Sequence, residues 1–148
     1  MPAPEARTTL TPDGPPAPKI LVVDDDAIMV SLLHTLLQLD GFQVVGAQPG
    51  ESIADRARET RPDLILLDVF LRGADGLDQL SRLKAEADLK AIPVVMCSGM
   101  DVGDQCAARG AAAFLIKPYS PDHLLETIRA CLGPRPAAGG PGAPKGQT

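Results

Sequence analysis

The sequence predicts an α/β fold in which a parallel β-sheet is covered by helices on both faces. Short runs of Val, Ile and Leu alternate with segments whose apolar residues recur at helical spacing, and such continuous runs are typical of parallel strands buried on both faces. The run Lys19–Val23 continues into three aspartates at 24–26, and the run at 64–67 ends at Asp68. Groups that follow parallel strands meet at one edge of a sheet, so this edge is expected to carry the function.

We predict five strands and five helices in alternation within residues 19–132. The expected strands are Lys19–Val23, 42–46, Leu64–Asp68, 94–97 after Pro93, and 112–116. Right-handed crossovers leave few ways to connect them. We favour the flavodoxin-like, doubly wound (βα)5 order 2-1-3-4-5, because it brings the ends of the first and third strands together.

The helices are marked by caps and by apolar spacing. The predicted helices are 27–39, about 50–60 ending before Pro62, about 76–87 after a loop with Gly73 and Gly76, about 101–109 closed by Gly110, and a last one starting at Ser120 or Asp122. Asp26 can cap the first helix, and Gly41 can take the left-handed conformation after it. Its expected apolar stripe consists of Ile28, Leu32, Leu36 and Leu39.

The predicted topology places five functional side chains at the carboxyl edge of the sheet. They are Asp24, Asp25, Asp68, Ser98 and Lys117. Two of the carboxylates can hold Mg2+, while the third can attack phosphorus. The metal and the lysine can neutralise a phosphoryl group in transfer, and the serine hydroxyl can bond to a phosphate oxygen.

These stretches resemble the receiver domain of response regulators in two-component signalling. The resemblance covers nearly all of 19–132 and is carried by ILVVDDD at 20–26, LLDV at 66–69, DG at 75–76, PVVMCSG at 93–99 and KPY at 117–119. It implies a signalling switch rather than an enzyme. A sensor histidine kinase or a histidine phosphotransfer protein would phosphorylate Asp68, and the switch would act on a downstream protein that the sequence does not identify.

The resemblance also implies a role for each site residue. Asp25, Asp68 and the backbone carbonyl of Phe70 would bind Mg2+, with Asp24 acting through water. Lys117 would contact the phosphate and Asp68, and a cis peptide bond is expected before Pro118.

Ser98 and Phe114 are the expected switch residues. In the family, the hydroxyl moves toward the phosphate and an aromatic residue of the fifth strand fills the space that it leaves. The signal would then emerge on the surface of helix 4, strand 5 and helix 5.

The sequence departs from the family pattern at three positions. Arg72 stands where many members have proline, and Phe70 and Met100 stand where polar groups often assist attack by water. Two apolar groups at these positions are expected to slow hydrolysis of the phosphoryl group.

Composition excludes several other classes of protein. The net charge of −5 argues against nucleic-acid binding through bulk charge, and no run of about 18 apolar residues is present to span a membrane. The N-terminus shows no secretory signal, and Cys97, Cys106 and Cys131 form neither an even disulfide set nor a CxxC motif. A cytoplasmic domain at 19–132 with disordered Pro-rich and Pro/Gly-rich tails at 1–18 and 133–148 is expected.

Two other functions remain open on the sequence alone. The chain could be a protein-binding module that retains the acidic pocket without being phosphorylated. The Asp24-x-Asp26 pattern also resembles the nucleophile motif of haloacid-dehalogenase-type phosphatases, although that assignment leaves Asp68 without a role.

Overall fold

The computed structural model describes residues 17–47 and 51–133. Their central sheet has five parallel strands in the order β2-β1-β3-β6-β7, which confirms the predicted doubly wound fold. The strands within these residues are β1 Lys19–Val23, β2 Gln43–Gly46, β3 Leu64–Asp68, β4 Phe70–Leu71, β5 Ala74–Asp75, β6 Val94–Ser98 and β7 Ala113–Ile116. The fourth and fifth predicted strands are therefore β6 and β7. Most of the two predicted tails lies outside the described residues.

In the described part of the chain, five helices cover the sheet: α1 Ala27–Leu39, α2 Ile53–Thr60, α3 Gly76–Ala85, α4 Gly103–Ala108 and α5 Pro121–Leu132. Four of them begin with a side chain that accepts a backbone N–H, namely Asp26, Ser52, Asp75 and Ser120. Ser120 rather than Asp122 therefore starts the last helix. Gly41 follows α1 with φ of +93°, as its predicted role requires.

The core consists of one apolar cluster on each face of the sheet. Side chains alternate along each strand, so that Leu21 and Ile65 face α2, α3 and α4, while Ile20 and Leu66 face α1 and α5. The central strands are thus buried on both faces, as the unbroken apolar runs predict. This burial holds the strand ends at fixed positions along one edge.

The apolar stripe predicted for α1 is wrong at Ile28, Leu32 and Leu39, which are exposed, whereas its fourth member, Leu36, is half-buried and packs against the core. The buried residues of this helix are Leu33 and Leu37, whereas Ile28 and Leu32 are 80% and 61% exposed. The sequence of α1, AIMVSLLHTLLQL, contains no charged residue and has apolar side chains on several sides. Spacing alone therefore could not tell which of its stripes contacts the sheet.

A short hairpin replaces the loop predicted after Asp68. β4 and β5 pair antiparallel, and Gly73 at the turn has φ of +72°. The backbone N–H of Gly76 then donates to the carbonyl of Val69 at 2.7 Å. A Cβ atom on Gly76 would lie 2.3 Å from the carbonyl oxygen of Asp68, so only glycine allows α3 to begin so close to the end of β3.

Two further findings concern the cysteines and the length of the helices. The three cysteines are free thiols, and burial raises the pKa of Cys97 to about 12. Within 17–47 and 51–133, none of the helices has both the length and the apolar content needed to cross a membrane.

Candidate functional site

The carboxyl edge of the sheet brings together Asp24, Asp68 and Lys117, which follow or end β1, β3 and β7. Val23 pairs with Leu67 in the parallel register, so the next residues of the two strands, Asp24 and Asp68, lie side by side. The ammonium of Lys117 donates to Oδ2 of Asp24 at 3.0 Å and to Oδ2 of Asp68 at 3.2 Å. Residues at the ends of three separate strands therefore form one ion-paired group.

Burial and charge act against each other in this group. Burial raises the pKa of Asp68, the hydrogen bond from Lys117 lowers it, and the negative charge of Asp24 raises it again, so that the net shift is upward. Burial lowers the pKa of Lys117, but its hydrogen bonds and charge interactions with the carboxylates raise the pKa by more. The net shift is upward, so the lysine stays cationic at neutral pH. One cation is shared by two carboxylates, which leaves Asp68 only partly compensated.

Asp25 and Phe70 lie at the same edge and are tied to the hairpin. Oδ2 of Asp25 accepts the backbone N–H of Arg72 at the hairpin turn. The backbone N–H of Phe70 donates to Oδ1 of Asp68 at 3.3 Å. β4 and the hairpin turn are thus fixed against the acidic residues that follow β1 and end β3.

The chemistry of these donors fits Mg2+. Magnesium takes oxygen ligands and usually needs one or two carboxylates, with waters and phosphate oxygens completing its shell. Within the described part of the chain, no group of three His, Cys, Asp or Glu side chains is gathered to enclose a metal by itself. The ammonium of Lys117 lies against two of the three aspartates instead. The metal-binding roles of Asp24, Asp25, Asp68 and the Phe70 carbonyl remain predictions.

Ser98 ends β6 beside this group and is buried. Its Oγ accepts the backbone N–H of Met100 at 3.0 Å, and its carbonyl accepts the backbone N–H of Lys117 at 2.8 Å. The peptide bond between Lys117 and Pro118 is cis, as expected. The hydroxyl thus engages the β6–α4 segment at 99–102 rather than an acidic side chain.

Phe114 lies on β7 and faces α4. It is half-buried against the cluster that contains Cys106 and Val102. Ile116, two residues further along the strand, is 48% exposed. The ring therefore lies between the core and the surface that the sequence predicts to carry the signal.

Two large apolar side chains flank the site. Phe70 is 56% exposed and Met100 is 61% exposed, and each is joined by its backbone N–H to a site residue, Asp68 or Ser98 respectively. The sequence identified both side chains but did not predict these hydrogen bonds, because a backbone N–H can donate whatever the type of its residue.

This arrangement defines a class: an open α/β domain with paired aspartates and a lysine at its carboxyl edge is the structure of a receiver domain. The family model described as response regulator receiver domain matches residues 20–129. The chain therefore belongs to the response-regulator receiver family, whose members are signalling domains of two-component systems. This membership gives no support to the phosphatase alternative, and Asp26 accepts the N–H groups of Ile28 and Met29 as the cap of α1.

Named relatives share the family. The polar-differentiation response regulator DivK of Brucella anthropi is 33% identical over 117 residues, which is 77% of this chain and 95% of that protein. The DivK protein of Brucella melitensis is 32% identical over the same share of each chain.

Solved structures agree with the fold. The signal receiver domain of a signal transduction histidine kinase from Syntrophus aciditrophicus superposes with a TM-score of 0.71 at 28% identity, covering 78% of this chain and 90% of that one. The chemotaxis protein CheY4 of Vibrio cholerae gives 0.68 at 26% identity, covering 76% and 96%.

Proposed function

We propose that Asp68 accepts a phosphoryl group from a phosphohistidine on a sensor kinase or on a histidine phosphotransfer protein. The observation that carries this proposal is the ammonium of Lys117, held 3.2 Å from Asp68 and 3.0 Å from Asp24. A buried carboxylate beside a fixed cation suits a nucleophile whose product carries more negative charge than the reactant.

The transfer is a direct exchange of bonds at phosphorus. A carboxylate oxygen of Asp68 forms the new P–O bond while the P–N bond to the donor histidine breaks, and the imidazole leaves with the electron pair of that bond. Lys117 neutralises negative charge that reaches the aspartyl phosphate. Mg2+ would be held by Asp25, Asp68 and the Phe70 carbonyl, with Asp24 through water, and would supply further positive charge to the phosphoryl oxygens. The domain assists its own phosphorylation and dephosphorylation and turns over no separate substrate.

The switch in this proposal consists of Ser98 and Phe114. The hydroxyl of Ser98 would exchange the N–H of Met100 for a phosphate oxygen, and Phe114 would move toward the space that the hydroxyl leaves. A phosphate with several charge-assisted bonds can shift such an equilibrium, and roughly 5.5 kcal/mol of differential interaction moves it from 1:99 to 99:1. The changed surface is that of α4, β7 and α5, where Ile116 is exposed, and it would control a protein partner.

The phosphodonor would dock on α1. This helix begins three residues after Asp24 and exposes Ile28, Leu32 and Leu39. Leu32 also lines a mainly apolar groove of about 160 Å3 between α1 and the Lys117–Pro121 segment. The donor must bring its phosphohistidine to this edge of the sheet, and the adjacent helix α1 is rich in apolar residues and has no Asp, Glu, Lys or Arg. Leu32→Ser is expected to slow transfer from a cognate kinase and to leave labelling by a small phosphodonor unchanged.

The test of the phosphoacceptor is the intact mass after incubation with acetyl phosphate and Mg2+. The expected result is one phosphoryl adduct that is lost in Asp68→Ala and on removal of the metal with EDTA. Asp122→Ala, which changes an exposed carboxylate on α5, serves as the matched control and keeps the adduct. An adduct that persists in Asp68→Ala would overturn the assignment. Equal binding of a partner by wild type and Asp68→Ala would instead favour a module that works without phosphorylation.

A further inference from the structure

The three aspartates of the site differ in how the protein holds their carboxylates. The two oxygens of Asp24 accept a nearby backbone N–H at 2.8 Å and the ammonium of Lys117 at 3.0 Å. The two oxygens of Asp68 likewise accept a backbone N–H at 3.3 Å and Lys117 at 3.2 Å. Among the described residues, Asp25 has a donor at Oδ2 and none at Oδ1. Asp25 therefore offers the carboxylate oxygen that is most readily available to a cation.

The donor to Asp25 comes from a distant part of the chain. It is the backbone N–H of Arg72, 47 residues further along, whereas the backbone donors to Asp24 and Asp68 lie two residues after their acceptors. Asp25 is exposed, so without this bond its side chain would be free to exchange between rotamers. The bond thus holds the side chain of Asp25 and the hairpin turn in one arrangement.

The turn does not need arginine at position 72 for its shape. Arg72 and Gly73 are the two residues between β4 and β5, and Gly73 has φ of +72°. A positive φ at the second position of such a turn is typical of type II, in which proline is common at the first position. Proline has no N–H, so it could form the turn but could not donate to Asp25. The residue at position 72 therefore decides whether this bond exists.

We propose that the backbone N–H of Arg72 is a positioning group that orients Asp25 for Mg2+, so that the residue at position 72 sets the affinity of the site for the metal. The metal-binding role of Asp25 belongs to the proposed function, and this inference rests on it. Loss of a hydrogen-bond partner behind a metal ligand typically lowers metal affinity by about 10–100-fold. Because Asp25 is exposed, we expect an effect of about tenfold, at the lower end of that range.

Arg72→Pro and Arg72→Ala test the proposal as a matched pair. Both variants lose the guanidinium and carry the same net charge, but only Arg72→Ala keeps the N–H. The dissociation constant for Mg2+ is measured from the NMR shifts of the Val69 and Phe70 amides, with no phosphodonor present. We expect Arg72→Pro to bind Mg2+ about tenfold more weakly than Arg72→Ala, which should bind like the wild type. Equal affinities of the two variants, or tighter binding by Arg72→Pro, would overturn the proposal.

Amide hydrogen exchange tests the same bond in the wild-type chain, whatever the effect of proline on folding. If the bond raises the affinity for Mg2+, linkage requires that Mg2+ strengthens the bond by the same factor. Saturating Mg2+ should therefore slow exchange of the Arg72 amide by up to about tenfold, and Asp25→Ala should speed this exchange in the absence of metal. An Arg72 amide that exchanges at one rate with and without bound Mg2+ would overturn the proposal.

The Asp63 amide is the internal control for exchange. It donates at 2.7 Å to the carbonyl of Lys19, where β1 begins at the opposite edge of the sheet. Its exchange rate should be the same with and without Mg2+ and in Asp25→Ala. A parallel change at Asp63 would mean that the whole fold is stabilised or loosened, and it would overturn the assignment of the effect to Arg72.

The two experiments separate this inference from the proposed function. A wild-type chain whose amide shifts do not respond to Mg2+ would contradict the metal site of the proposed function, and the role of Arg72 would fall with it. If Mg2+ binds to the wild type but neither distinguishes Arg72→Pro from Arg72→Ala nor slows exchange of the Arg72 amide, the role of Arg72 is overturned and the metal site stands.

Discussion

Lys117 lies closer to Asp24 than to Asp68, at 3.0 Å and 3.2 Å between the ammonium nitrogen and the carboxylate oxygens. The side chain of Asp24 is 4% exposed and that of Asp68 is 12% exposed, so both carboxylates depend on one cation for compensation. Buried charges of like sign that share a partner are costly to the fold. A further positive charge at the site, or the loss of a negative one, would therefore reduce the repulsion between the two carboxylates.

Stability should depend on pH through Asp68. Its pKa in the folded state is raised above the ordinary value of 3.8. A group with a raised pKa stabilises the fold fully below its ordinary pKa, and this contribution is lost as the pH rises through the raised value. Asp68→Asn should therefore raise the melting temperature at neutral pH, and the gain should shrink as the solution is acidified. Thermal unfolding at several pH values, with Asp122→Asn as control, measures this; a gain independent of pH would contradict it.

Gly76→Ala should destabilise the protein through the backbone. The new Cβ would lie 2.3 Å from the carbonyl oxygen of Asp68 and 2.6 Å from Cα of Val69, and backbone atoms cannot yield as a flexible side chain can. Overpacking typically lowers the free energy of unfolding by about 1–3 kcal/mol, and we expect the loss from this substitution to lie at or above the upper end of that range. Urea unfolding measures the loss. Gly99→Ala, which has open space, should change stability by less than about 0.5 kcal/mol.

Two adjacent leucines of α1 should differ sharply in their effect on stability. Leu33 is 2% exposed and packs in the core, whereas Leu32 is 61% exposed. Leu33→Ala should cost about 2–5 kcal/mol, and Leu32→Ala should stay within about 0.5 kcal/mol. Both substitutions replace leucine by alanine in the same helix, so they change helix propensity by the same amount. The difference between their denaturant midpoints therefore reports the difference in burial. Equal losses would mean that α1 packs through a different face.

Phe70→Asn should shorten the lifetime of the phosphoryl group. Phe70 donates its backbone N–H to Asp68 and is 56% exposed beside the site, so its apolar ring is expected to hinder the approach of water. An amide at this position can orient a water molecule for attack. The loss of phosphoryl mass with time, after removal of the donor, gives the rate. Phe70→Leu, which stays apolar, should decay as slowly as the wild type; a wild type that decays faster than Phe70→Asn would refute the expectation.

The sequence predicted the sheet and the proximity of Asp24, Asp68 and Lys117 because parallel strands bury both faces and end at one edge. Asp24, Asp68 and Lys117 each follow or end an apolar run, so a strand order that brings these runs together also brings the side chains together. The doubly wound order was the one assumption needed, and crossover handedness leaves few alternatives to it.

The sequence could not predict features that depend on a choice between similar apolar residues or on contacts of the backbone. α1 has apolar side chains all round, so spacing did not distinguish Leu33 from Leu32. The β4–β5 hairpin has two residues per strand and is held through backbone N–H groups, including that of Arg72, which donates to the side-chain carboxylate of Asp25. The close approach of Gly103 to Phe114 appears only in three dimensions, since glycine in a helix otherwise indicates only weak propensity.

The uncharged outer face of α1 affects how fast and under what conditions a protein can bind there. Ile28, Leu32 and Leu39 offer no charge to steer an approaching partner, so association should proceed without electrostatic acceleration and change little with ionic strength. Burial of the face should give a negative heat-capacity change on binding. For the phosphodonor that we propose to dock on α1, temperature should therefore change the binding affinity more than ionic strength does.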